Sequence, residues 1–418
     1  MQCRILTYLI LLTAVVSAFA AKAPTHRSLR AEAMGNAHIA VVDDKEAIYF
    51  NYAGLNQINR LGNYNLRPEQ GYYPRNFIGD MRLNLGGAGP FETYFSTYNV
   101  AKDLQKLYNN AHDVANETGL PMNTVLMDTL ASHHELIHKV NSYDHKYLTM
   151  KIKADAEMAF HNFGAAIWVD GNVAPYLDAG IIIPFMVVDT FYVDAVAQAG
   201  GAYGITDRLA VGAGLKLAKR QKVDIITVDI MNYDASQDTL EDRYHDATDN
   251  VFDFKSVSVG MDLGVLYQLT RELRAGMSVR DIYFKDLDGD KITPNVSAGI
   301  NYSPRFFNKN TGYARKFNMA LDYVDAINGQ NNYKFPSHIN FGIEVEQNLL
   351  AWPGYSNEIR ALALRLSGGF KGGYPAAGFG LEVLRFFTIE FATWAEELGY
   401  YTGQDEERIY MGQLSIGF

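Results

Sequence analysis

His134-Glu135-Leu136-Ile137-His138 has a spacing with obvious chemical potential. Two histidines four residues apart share one face of a helix and can bind a single zinc ion. The glutamate between them can then act as general base on the metal-bound water. Asp144 falls at the spacing of a third ligand in some zinc proteases, and His133 and His145 lie close by. However, Asn141 stands where those enzymes place glycine, and regular alternation resumes at Leu148, so no separate catalytic domain surrounds the motif. The expectation is therefore a solvated, histidine-rich helix face. Metal held by His134, His138 and Asp144 is a lesser reading, and a zinc-dependent hydrolase a remote one. No catalytic residue is assigned and no cofactor is implied.

Other patterns of this kind are weaker. Asp286-Leu287-Asp288-Gly289-Asp290 resembles the start of a calcium loop but lacks the later acidic ligand, and reads as a polar turn. Gly86-Gly87-Ala88-Gly89 is followed by Pro90 and contains no lysine, so it is a turn rather than a phosphate cradle. A Gly-x-Ser-x-Gly nucleophile elbow is absent.

A second set of charged residues is arranged with period two. Lys151, Lys153, Asp155 and Glu157 alternate with Met150, Ile152, Ala154 and Ala156. Asp262 faces away from Val259, Met261 and Leu263, Asp322 from Leu321 and Tyr323, and Glu344 and Glu346 from Ile343 and Val345. Side chains of a strand alternate between its faces, so each segment has one apolar and one polar face. The runs last about ten residues, the length of a tilted strand that crosses a bilayer. Strands of soluble sandwiches average about 5–6. The charged set then lines a lumen, where it pairs with a plug, sets ion preference or salt-bridges across the wall. Turn signals separate the runs: Thr206-Asp207-Arg208 and Thr270-Arg271-Glu272 are short, whereas 229–253 is long and acidic. Short turns on one rim and long loops on the other are the habit of outer-membrane barrels.

The ends of the chain point the same way. Arg4, the apolar run Ile5–Val16 and Ala18-Phe19-Ala20 read as a secretory signal over 1–20. The only cysteine, Cys3, precedes the apolar run, so disulfides do not hold the exported chain. No later stretch is apolar enough for a membrane helix. Tyr410, Leu414, Ile416 and the terminal Phe418 share one face of a closing amphipathic strand, of the sort read by the outer-membrane assembly machinery. The formal net charge of −10 and the lack of a basic stripe exclude a nucleic-acid partner. The expected fold is all-β: an antiparallel up-and-down transmembrane barrel of about fourteen strands over 79–418, in the outer membrane of a Gram-negative-type envelope. Residues 100–146 do not alternate. Leu104, Leu107, Ala111, Val114 and Ala115 have helical spacing, Gly119-Leu120-Pro121 breaks it, and a second helix runs from Met122 or Asn123 to Val140.

Residues 31–55, AEAMGNAHIAVVDDKEAIYFNYAGL, resemble the N-terminal region of the outer-membrane fatty-acid transporter (FadL-type) superfamily, which includes PorV-like and conjugal-transfer TraF-like barrels. The shared pattern is matched by Met34, Gly35, Ala37, Asp43, Asp44, Ala47, Tyr49, Asn51, Ala53, Gly54 and Leu55. Asn36 replaces a second glycine, and Tyr52 replaces the proline of the Asn-Pro-Ala turn, losing its fixed φ. The helical insertion and the ending Tyr400-Tyr401-Thr402-Gly403 resemble the TraF-like branch most closely. The resemblance implies a hatch over 21–78, with Asn51, Tyr52, Ala53 and Gly54 on the ligand route. It implies passive passage of hydrophobic or small solutes across the outer membrane. The PorV-like branch implies an alternative, a non-transporting barrel that serves a secretion system as an assembly partner. The expected partners are thus outer-membrane lipid, the assembly machinery, a hydrophobic small molecule and, in the alternative, a secretion-system component.

Overall fold

The computed structural model describes residues 23–58, 79–89, 91–142, 150–178, 185–223, 226–229, 257–287, 291–304, 315–329, 335–352, 359–384, 386–397, 403 and 406–417. Residues 1–22, where a secretory signal is expected, Asp144, most of 229–253, Asp288–Asp290 and Phe418 lie outside them.

The strands are β1 Gly79–Gly89, β2 Met150–Phe160, β3 Phe163–Asp178, β4 Phe185–Gly204, β5 Leu209–Val223, β6 Ile226–Asp229, β7 Ser258–Gln268, β8 Leu273–Tyr283, β9 Asn295–Tyr302, β10 Arg315–Tyr323, β11 Ile339–Trp352, β12 Ile359–Lys371, β13 Tyr374–Val383, β14 Phe387–Glu397 and β15 Glu406–Gly417. Neighbours in sequence pair antiparallel, and β1 pairs with β15 from Arg82↔Gly417 to Gly89↔Tyr410, which closes the sheet. β5 and β6 pair with successive stretches of β4 and so form one interrupted wall strand. Among the described residues the wall is therefore a closed antiparallel barrel of fourteen strands. Closure leaves no open sheet edge, a condition for β structure in lipid.

The burial of the wall is inverted relative to a soluble protein. On β2, Ile152 is 60% exposed while its neighbours Lys151 and Lys153 are 5% and 4% exposed. Leu83, Leu85, Ile167, Leu215, Leu366 and Ile389 likewise face outward, whereas Asp155, Glu157, Asp262, Asp322, Glu344 and Glu346 are buried inside. Only a hydrocarbon surrounding makes such an outer face favourable.

The turns on one rim are built by local polar chemistry. Thr206 Oγ1 accepts from the amides of Arg208 and Leu209, and Thr270 Oγ1 accepts from those of Glu272 and Leu273. These hydroxyl-capped turns reverse the chain in a few residues. Because strands alternate in direction, the helical insertion between β1 and β2 lies at the opposite rim.

The insertion comprises α3 Phe91–Thr118, α4 Met122–Ser132 and α5 His134–Ser142. A single helix from Met122 to Val140 is thus not formed: the chain breaks at His133, where Ser132 and His133 side chains both reach the Thr129 carbonyl. Such back-bonding competes with the helix ladder. The three helices share their own small core of Val100, Leu107, Ala111, Ala115, Val125, Leu126 and Leu136.

Residues 23–58 fill the lumen. They include α1 Leu29–Ala33, α2 Ala47–Phe50 and a 310 helix over Tyr52–Gln57. The main hydrophobic core lies between this hatch and the wall, where Ile39, Ile48, Phe50, Tyr52 and Leu55 pack on Trp168, Val196, Ala210 and Leu266. Burying each such side chain contributes about 1.5–3 kcal/mol.

Candidate functional site: the clasped hatch and its vestibule

Two of the three hatch elements, α1 and the 310 helix, begin with a polar side-chain cap. Ser28 Oγ accepts from the Ala31 amide to start α1 and donates to Glu46 Oε1. Asn51 Oδ1 accepts from the Ala53 amide to start the 310 helix, while its Nδ2 donates to the carbonyls of Ile39 and Val265. Asn51 therefore ties two hatch segments and β7 together. Tyr52 is a wedge: it is almost wholly buried, and its ring lies where a Cβ on Gly200 or Gly214 would stand. Gly276 on β8 does the same for Ile39, whose carbonyl oxygen would lie 2.7 Å from an added Cβ. Ala53 and Gly54 are buried beside Tyr52, and a Cβ on Gly54 would meet Val42 at 2.5 Å. Asn51, Tyr52 and Ala53 thus hold the hatch to the wall, and Gly54 lets two hatch segments approach closely.

The charged lumen residues pair chiefly with the hatch. Glu344 receives Arg30 in a fork, Nε to Oε2 and Nη2 to Oε1, both at 2.6 Å. The remaining Arg30 nitrogen reaches Asp43 at 3.0 Å and Asp44 at 2.6 Å. Lys316 of β10 pairs with Asp43 from the other side. Burial pushes the Asp44 carboxyl up, but the Arg30 guanidinium holds it down at about 2. Asp43 is likewise held below the usual carboxylate range by Lys316 and Arg30 against its burial. Glu157 binds Lys45 at 3.0 Å, Asp155 meets His26 at 3.3 Å, and Lys153 donates to the Arg27 carbonyl at 2.6 Å. Asp322 Oδ2 accepts from the amides of His38 and Ile39 at 2.6 and 2.8 Å, while Arg274 of β8 donates to the carbonyls of Ala40 and Val41. The peptide run 38–41 is gripped at both its donor and its acceptor ends.

Three of the charged residues act within the wall. Lys151 pairs with Glu396 of β14 at 2.9 Å. Lys216 bridges Asp262 and Asp281 at 2.8 Å each, where β7 and β8 slip register around Asp262. Glu346 is 3.9 Å from Arg365.

Between the hatch and the rim that bears the insertion is a cavity of about 220 Å³. His26, Tyr49 and Trp168 form its aromatic side. His26 stacks on Tyr49 with centroids 3.6 Å apart, and Trp168 stands edge-on to His26 at 5.8 Å. Arg27, Lys216, Arg280 and Lys371 line it together with Glu32, Asp281 and Glu396. Their charges compensate: Arg27 binds Asp170 at 2.9 Å, and Lys371 binds Glu32 at 2.7 Å. The vestibule is thus polar and nearly neutral, with one aromatic side. Sequence reasoning passed over His26, Arg27, Arg30, Trp168 and Arg274. The available signal for Arg30 was an arginine thirteen residues before an acidic pair.

The HExxH residues stand apart from this assembly. His134, Glu135 and His138 are exposed on α5, at the insertion, and Asp144 lies outside the described residues.

No protein-family model matches the chain, and no curated protein sequence does. Among solved structures it is similar to the toluene transporter TbuX of Ralstonia pickettii, at 10% identity and a TM-score of 0.42, over 94% of this chain and 97% of that one. It is also similar to the toluene transporter TodX of Pseudomonas putida (9%, 0.39, 95% and 98%) and to the monoaromatic hydrocarbon channel CymD (11%, 0.38, 93% and 96%). The architecture described above stands on the strand pairing of this chain itself.

Proposed function

We propose that this protein is a passive channel of the bacterial outer membrane for hydrophobic or small solutes, with residues 23–58 as its gate. The observation that supports this reading is a closed barrel with an apolar outer wall, a hatch threaded inside it, and an aromatic-sided cavity against that hatch. Size narrows the class. As a volume, about 150 Å³ holds benzene, so 220 Å³ has room for a solute of one ring, lying on the aromatic side of an otherwise polar cavity, rather than for a whole long acyl chain. Stacked His26 and Tyr49, with Trp168 standing edge-on to His26, offer an aromatic side to such a ring.

The test is binding followed by uptake. Toluene, with a long-chain fatty acid as the larger probe, is titrated against the detergent-solubilised protein while tryptophan fluorescence is followed. Empty micelles and an unrelated barrel serve as controls. Saturable quenching by toluene that disappears in Trp168→Phe is the expected result, together with faster uptake of toluene by cells expressing the protein. No saturable response above the controls and no gain in uptake would sink the reading.

A second reading draws on the insertion. Val114, Leu120 and Met127 are exposed apolar residues on it, at the rim away from the short turns. A barrel that docks a secretion partner there would keep cross-linking to that partner while showing no uptake.

A further inference from the structure

His38, Asp44 and Glu46 converge inside the hatch. One ligand atom from each lies within 4.8 Å of the other two. His38 is wholly buried, and neither of its ring nitrogens makes a hydrogen bond of acceptable geometry. Its Nε2 is 3.0 Å from Glu46 Oε2, an oxygen that is itself without a hydrogen bond. Two ligands about 2.0–2.2 Å from one metal ion, at roughly a right angle, are separated by about that distance. A buried imidazole without a well-formed hydrogen bond is costly, and a cation held between Nε2 and Glu46 Oε2 removes the part of that cost that falls on Nε2.

The charges around the site favour a cation as well. Asp43, Asp44, Glu46 and Glu344 surround Arg30 and Lys316. Arg365 also reaches Glu344 at 3.8 Å, so the cluster as a whole is close to balanced, but Glu46 has no arginine or lysine within ion-pair distance among the described residues. Arg30 Nη1 donates to Asp44 Oδ2 and the Glu46 amide donates to Asp44 Oδ1, so Asp44 would meet the cation through a remaining lone pair, while Glu46 Oε2 and His38 Nε2 face it directly. The Asp44 side chain is 29% exposed, so the site opens to the lumen on that side. The histidines of HExxH are elsewhere, exposed on α5.

We propose that His38, Asp44 and Glu46 form a binding site for a single divalent first-row transition cation, which pins the hatch segment 38–46. One imidazole and two carboxylates suit Zn²⁺, Mn²⁺ or Fe²⁺, with water completing the shell. Bound metal joins the end of α1, through Ser28 and Glu46, to the 38–41 run held by Asp322 and Arg274. The cation is thereby a lock on the gate.

The experiment uses the whole exported chain, refolded and stripped of metal, in a His134→Ala/His138→Ala background so that the exposed pair on α5 contributes nothing. Zn²⁺ is titrated in competition with a chromophoric chelator, and Co²⁺ is used for its ligand-field spectrum. One equivalent of tightly held Zn²⁺ is expected, with exchange of the 38–46 amides slowed when it binds. His38→Gln is expected to weaken binding about a hundredfold, and Glu46→Gln about tenfold. Heat-modifiable gel mobility checks that each barrel is folded. Should His38→Gln fail that check, Glu46→Gln and the Co²⁺ spectrum decide the matter. No bound equivalent in the background protein, or equal affinity in the folded variants, would overturn the proposal.

Discussion

The Arg30–Glu344 fork joins the first hatch helix to the middle of β11, with side-chain exposures of 1% and 0%. Removing one member of a buried pair costs about 3–5 kcal/mol, since the other charge is left without compensation. The structure assigns the two ends of that range. Glu344→Gln leaves Arg30 with Asp43 and Asp44, so about 3 kcal/mol is expected. Arg30→Met leaves three carboxylates with Lys316 beside Asp43 and Arg365 at 3.8 Å from Glu344 as the remaining ion-pair partners, so a cost towards about 5 kcal/mol is expected. At about 1.4 kcal/mol per factor of ten, the fraction of barrels with a displaced hatch rises roughly a hundredfold and several-thousandfold respectively. The combined variant should be milder than Arg30→Met alone, because it removes one of the stranded carboxylates. Single-channel currents in planar bilayers read the open fraction, and protease cleavage within 23–58 reads hatch release independently. A folded Arg30→Met barrel with wild-type open fraction and wild-type protease resistance would refute the clasp.

Three further outcomes follow from the same contacts. Gly214→Ala places a methyl group in the Tyr52 ring and should destabilise the hatch by about 1–3 kcal/mol; Tyr52→Leu should restore part of that loss, as a double-mutant cycle in denaturant would show. Asp322→Ala strips the acceptor from the His38 and Ile39 amides, worth about 1–3 kcal/mol, and hydrogen exchange at those two amides should speed up about ten- to a hundredfold. Leu215→Arg puts a charge on the outer wall of β5, at a side chain that is 62% exposed, and should cost about 2–4 kcal/mol in refolding into lipid vesicles but little in a water-exposed loop.

Much of the wall was legible because period two is a one-dimensional property. Lys151, Lys153, Asp155 and Glu157 had to share a face whatever their partners, and the run length and opposite apolar face selected a membrane barrel. The turns at Thr206 and Thr270 were legible for the same local reason. What the charged face pairs with was left open, because Arg30 and Glu344 are separated by 314 positions and no periodicity relates them. The hatch was traceable only through its resemblance. Its helices are four and five residues long, too short for any pattern, and exist because the wall surrounds them. Tyr52 is the instructive residue: the loss of proline's fixed φ suggested a looser turn, but Asn51 caps it and strand glycines accept the ring. The break at His133 came from side chains bonding back to Thr129, a choice that helical spacing does not encode.

The seam between β1 and β15 sets an order of assembly. The hatch is the first part of the described chain, yet it contacts side chains from β2 to β14, and the strand that completes the circle is the last. A finished cylinder gives a folded plug of this kind no side entrance. If the hatch is in place while strands are added around it, its carboxylates and arginines meet their partners one strand at a time. A defect in the clasp would then first appear as a slow or stalled ring closure, before it appears as a leak.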